Sequence, residues 1–90
     1  IARHLMVKGR VQGVWFRAWM VEVAGGLGLF GWVRNRANGD VEALVEGETE
    51  AVEHFLEMAW TGPPAARVSH VEISDHPIEN HVCFEQRATL

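Results

Sequence analysis

The sequence predicts an α+β sandwich of two layers, an antiparallel sheet with both helices on one face. Three observations predict it. Apolar residues repeat with the period of a strand, a helix, two strands, a helix and a strand, in that order. Asn38-Gly39 lies between the two middle strand-like runs and favours a tight antiparallel turn. A chain of 90 residues, 48% hydrophobic and 22% charged, has material for one packed domain spanning residues 1–90 and not for two. The resulting order is β-α-β-β-α-β with a short extra C-terminal strand. Right-handed crossovers then place the first and third strands side by side in the middle of the sheet.

Each element has its own signal. Residues 3–9 alternate Leu5 and Val7 against His4, Met6 and Lys8, as a half-buried strand does. Residues 9–14, GRVQGV, are a glycine-bounded loop. From Trp15 onward Phe16, Met20, Val23, Ala24 and Leu27 make one helical stripe, which Gly28 stops. Gly25 and Gly26 weaken this helix by about 1 kcal/mol each relative to alanine. Residues 29–36 and 40–46 read as the two strands of a hairpin, with Asn38 and Gly39 supplying positive φ. Thr49 is the expected N-cap of a second helix, whose stripe is Val52, Phe55, Leu56 and Ala59 and whose end is Gly62-Pro63-Pro64. Residues 67–75 form a strand with Val71 and Ile73 on one face. Residues 82–87 close the sheet with Val82 and Phe84 inward.

Charge is unevenly divided. The net charge is −4, yet residues 1–45 hold six basic side chains against three acidic ones, and residues 46–90 hold two against nine. Bulk charge argues against a nucleic-acid partner and leaves room for a local anion site in the first half. Residues 14–33 have the length of a membrane span with only Arg17 and Glu22 charged, but four glycines interrupt them, so a helix followed by a strand is expected and no membrane partner. The single cysteine, Cys83, has no partner for a disulfide and is expected as a small buried hydrophobe in a reducing, cytoplasmic setting. Five histidines share no ligand spacing, so no metal is expected. The first residues lack a basic start followed by an apolar run, and no secretory leader is expected.

The first half can build one site. A glycine-bounded loop that delivers the chain to a helix N-terminus aims backbone N–H groups at a common point, which favours an anion. The spacing alone is that of an ordinary turn, and neither a Walker A sequence nor G-x-G-x-x-G is present. Arg17 adds to it. A cation on the first turn opposes the helix dipole, and a bound phosphate would remove that penalty; the alternative is an arginine that lies along Trp15 or Trp19 in solvent. Asn35 is unusual in a strand, and either begins the hairpin turn or uses its amide to hold a water. An amide can orient a nucleophile but cannot serve as its general base. The topology brings Arg17 and Asn35 to the same end of the first helix.

Residues 9–17, GRVQGVWFR, together with residues 27–35, LGLFGWVRN, resemble the acylphosphatase family. The resemblance extends through Asn38-Gly39 with Val41-Glu42, through Gly47, and through GPPAARV at residues 62–68, so it covers nearly the whole chain. It implies a ferredoxin-like sandwich and hydrolysis of the carboxyl-phosphate bond of acyl phosphates without metal or organic cofactor. It also implies that Arg10, Val11, Gln12, Gly13 and Val14 offer backbone N–H groups to the phosphate, that Arg17 grips it, and that Asn35 positions the attacking water. Inorganic phosphate is then both product and competitive inhibitor, and a monomer is the default expectation.

Two other readings compete. An RNA- or anion-binding module of the RNA recognition motif type has the same topology, and LFGWVRN is superficially like its aromatic strand. That segment is the second strand here and not the third, and the chain is acidic. The other is an acylphosphatase-like domain excised from a larger carbamoyl-transferring maturation protein. A chain that ends soon after the last strand favours a free-standing enzyme.

Overall fold

Alternating apolar and polar side chains make the first strand of the sheet. In the computed structural model, which describes residues 1–90, β1 (Ala2–Arg10) buries Leu5 and Val7 completely and leaves His4, Met6 and Lys8 half-buried on the opposite face. α1 (Phe16–Gly26) follows, burying Phe16, Met20 and Ala24 at intervals of four. β2 (Phe30–Asn35) and β3 (Val41–Glu46) pair as an antiparallel hairpin with Asn35 opposite Val41. α2 (Thr49–Thr61) buries Val52, Phe55 and Ala59, and β4 (Arg67–Asp75) and β5 (Phe84–Gln86) complete the sheet.

The strand order is β4-β1-β3-β2-β5, with β1 and β3 adjacent at the centre as the crossovers require. Leu5, Val7, Val33, Ala43, Val45 and Val71 meet Phe16, Met20, Ala24, Val52, Phe55 and Ala59 in one continuous core. Both helices therefore cover the same face. Each fully buried aliphatic or aromatic side chain contributes about 1.5–3 kcal/mol, so this interlayer is the main stabilising term.

The structure corrects the expected details in five places. The sheet is mixed, because β5 joins β2 in parallel, with Gly31 opposite Phe84 and Val33 opposite Gln86. β4 and β5 occupy opposite edges of the sheet, and β5 runs antiparallel to β4 and so in the same direction as its neighbour β2. Only three residues of the closing segment pair, and Val82 is 89% exposed while Phe84 alone packs on the core. Cys83 is exposed, not buried, because it lies with Val82 in the bend before β5, where the chain has not yet reached the core. Thr49 is the first helical residue; the cap is Glu48, extended and without a side-chain capping bond. In the hairpin turn only Gly39 has positive φ, while Asn38 accepts the Asp40 N–H through its side chain, the geometry of a three-residue turn instead of a two-residue one.

Candidate active site

The site begins where β1 loses its register. The pairing with β4 shifts between Lys8 and Gly9, and at Gly9, with φ of 124°, a Cβ would collide with the carbonyl oxygen of Arg67. Glycine alone permits that approach. The bulge turns the chain out of the sheet into residues 11–15, whose side chains anchor it from two sides. Val11 and Val14 are buried in the core, and between them Gln12 Nε2 donates to the carbonyls of Arg36 at 2.8 Å and Asp40 at 2.9 Å. The loop is thus tied to the hairpin turn.

With Val11, Gln12 and Val14 anchored, the backbone donors are free. None of the turn and loop backbone hydrogen bonds is donated by residues 11–15. Gly13 and Trp15 both adopt left-handed conformations, with φ of 71° and 72°, two positions apart. Such alternation curls consecutive N–H groups toward one side and makes a concavity that favours an anion. The first turn of α1 adds its own unpaired N–H groups and the positive end of the helix dipole.

Arg17 and Asn35, eighteen positions apart in the chain, line one open cavity of about 520 Å³ with Val11 and Gly13 of the loop. Arg17 is half-buried on the first turn of α1, where no acidic residue accompanies it. Arg3, Arg34, Arg36 and Arg87 each pair with a carboxylate, whereas no carboxylate reaches the guanidinium of Arg17. Asn35 closes β2. Its backbone carbonyl accepts the Leu90 N–H at 3.1 Å, and its side-chain Oδ1 is the one buried polar side-chain atom without a partner. A buried, unsatisfied acceptor costs about 1–3 kcal/mol and calls for an explanation.

Among the other expected residues, Arg10 is exposed at the end of β1 opposite Arg67 and lies outside the cavity. Gln12 and Val14 also lie outside its lining, Gln12 bound to the hairpin turn and Val14 packed in the core. Trp15, Phe16, Ala18 and Gln86 line the cavity and were not among the expected site residues. Trp15, Phe16 and Ala18 neighbour Arg17 in sequence, so the helix start signals them; Gln86 reaches the cavity only through the parallel pairing of β5, which no local pattern announces.

The opposite face of the sheet is electrostatically closed. Glu42 accepts from His4 Nε2 at 2.6 Å, Arg34 Nε at 2.6 Å and Arg36 at 3.1 Å. Burial pushes its carboxyl up, and the hydrogen bonds and charges of His4 and Arg34 outweigh this and hold it below the ordinary value. Glu46 is likewise buried, and the backbone N–H groups of Glu79 and His81 bring it below the usual carboxylate range despite that burial. Lys8 is raised by its bonds to Asp40 and Glu72. No cluster of three or more His, Cys, Asp or Glu side chains converges as a metal site, and no helix is long and apolar enough to cross a membrane.

Known proteins with this architecture share the sequence as well. The acylphosphatase family model matches residues 3–86. The acylphosphatase of Acidiphilium cryptum is 56% identical over 91 residues, covering 99% of this chain and 98% of that protein. The structure of an acylphosphatase from Coxiella burnetii superposes with a TM-score of 0.93 at 40% identity, over 96% of this chain and 90% of that one. A full-length HypF crystallised in a phosphate- and nucleotide-bound form contains a similar unit, with a TM-score of 0.90 and 27% identity over 98% of this chain but only 12% of that protein. Sequence and architecture, matched across almost the full length of the chain, place it in the acylphosphatase family.

Proposed function

We propose that the cavity hydrolyses the carboxyl-phosphate bond of an acyl phosphate, with the phosphate held by the 9–14 loop and Arg17 and the attacking water oriented by Asn35. The chain is an acylphosphatase by family, and residues 1–90 act as one catalytic domain. The observation that carries the division of labour is the meeting, in one cavity, of a guanidinium without a counter-ion, free backbone donors and a buried amide oxygen without a donor.

Phosphoryl transfer passes through a loose transition state with charge on the equatorial oxygens, so positioning and electrostatics supply most of the rate. The loop N–H groups and the fork of Arg17 bind those oxygens. Asn35 Oδ1 accepts one hydrogen of a water and turns its lone pair toward phosphorus, which converts an encounter into an in-line attack. The new O–P bond forms as the bond to the acyl oxygen breaks, and the electron pair leaves on a carboxylate. That leaving group is a weak base and needs no general acid. No His, Asp or Glu lines the cavity, so the proton of the water passes to a phosphate oxygen of the substrate itself.

Every donor in this scheme belongs to the chain, and a chelator is expected to leave the rate unchanged. Inorganic phosphate, the product, competes with substrate for the same donors. The exposed free thiol of Cys83 suits a reducing compartment, in keeping with a cytoplasmic monomer. The test is phosphate release from benzoyl phosphate in the presence of a chelator. Arg17→Gln and Asn35→Ala are each expected to lower kcat about 100-fold or more with the circular dichroism of the fold retained. A fully active Arg17→Gln protein would overturn the assignment.

A further inference from the structure

The cavity is larger than a phosphoryl group requires, and its lining includes one large, exposed aromatic side chain. Of its apolar lining, Val11 and Phe16 are almost wholly buried and offer little surface to a ligand, and half-buried Ala18 offers only a methyl group. Trp15 is 75% exposed and lines the same cavity as Arg17 and Asn35. The other three tryptophans are engaged. Trp19 packs edge-on against Phe16, Trp32 lies beneath the guanidinium groups of Arg34 and Arg87, and Trp60 meets His70. Trp15 has no aromatic or cationic partner.

Its backbone deepens the anomaly. Trp15 is the N-cap of α1, in a left-handed conformation with φ of 72° and ψ of 15°, and makes no side-chain capping bond. Glycine or asparagine would take that conformation with less strain. A bulky indole held at a strained position and facing a cavity is a feature that folding does not explain.

We propose that Trp15 is a specificity-determining residue whose indole is the platform for the acyl group, so that the enzyme favours acyl phosphates with a flat, apolar acyl group, an aroyl phosphate over one of acetyl size. This rests on the reading of the cavity as the acyl phosphate site. The loop that offers N–H groups to the phosphate runs directly into Trp15, so a substrate anchored by its phosphate brings its acyl group against the indole. Aromatic groups stack there on an apolar surface already open to solvent, and releasing water from both is favourable.

The test compares kcat and KM for benzoyl phosphate and acetyl phosphate in wild type, Trp15→Ala, Trp15→Phe and Trp15→Gly. Trp15→Ala is expected to reduce the benzoyl-to-acetyl ratio of kcat/KM about tenfold, a typical loss for removing one apolar contact from a pocket. The loss should fall mainly on the KM of benzoyl phosphate, as removal of uniform binding does. Trp15→Phe should restore most of the ratio. Trp15→Gly tolerates φ of 72° without strain and keeps the comparison readable if alanine unsettles the loop. An equal loss on both substrates, or an unchanged ratio, overturns the platform while leaving the hydrolytic site standing. Wild-type protein that releases phosphate from neither substrate overturns the site reading itself.

Discussion

Arg17 and Arg34 carry the same guanidinium in opposite circumstances. Arg34 lies across the ring of Trp32, with its carbon 4.6 Å from the ring centre, and donates to Glu42, which also gathers Arg36 and His4. Every charge on that face is answered from within the chain. Arg17 stands at the positive end of a helix with no acid in its first turn, beside N–H groups and an amide oxygen that are likewise unanswered. The difference separates two uses of arginine: a closed network that stabilises the sheet, and an open one of the kind the proposed phosphate site requires.

The strongest way to break this comparison is to remove each arginine in turn. Arg17→Gln is expected to lose at least about 100-fold in kcat with no loss of stability, since the cation opposes the helix dipole. Arg34→Gln is expected to keep its activity within about twofold and to lose about 1–2 kcal/mol in denaturant unfolding. A large catalytic loss in Arg34→Gln would show that the two faces are not independent. Next in size is Glu42→Gln. It leaves Arg34 and Arg36 without their shared counter-ion and His4 beside a neutral amide, and about 2 kcal/mol of stability should disappear with turnover intact.

Acid sharpens the same contrast. Glu42 and Glu46 have folded values below the ordinary 4.5, so their contribution is complete above that pH and is lost as pH falls through the lowered folded values. Stability should therefore begin to fall near pH 4.5, and Glu42→Gln or Glu46→Gln should flatten the acid limb in melting experiments over a pH series. The smallest effect is expected of Gln12→Ala. Losing its two bonds to the hairpin costs about 1 kcal/mol and lets the cradle loop drift, with a several-fold fall in kcat/KM.

The sequence made the long elements legible because each carries a period. Leu5 and Val7, Phe16 to Ala24, and Val52 to Ala59 declare their faces without reference to anything distant. The glycine-bounded loop and Arg17 were legible as an oddity against helix-terminus electrostatics. What escaped was whatever depends on partners far along the chain. A three-residue strand such as β5 has no period to read, so its parallel direction, the exposure of Val82 and Cys83, and the arrival of Gln86 at the cavity were hidden. Glu46 is similar, since nothing local predicts that residues 79 and 81 return to bind it. Trp15 was visible as a residue, but its orientation was not.

The central place of β1 governs how the site comes into being. β1 is flanked by β3 and β4, and Arg3 is paired opposite Asp75, so the middle of the sheet closes only when the chain has bridged most of its length. Such long closures are slow and leave little to gain from partial assembly. The loop that leaves β1 has its anchors in the core on one side and in the β2–β3 turn on the other, and neither exists before that closure. The proposed catalytic constellation is therefore inherited whole from the folding transition, and a partly collapsed chain holds its residues without its geometry.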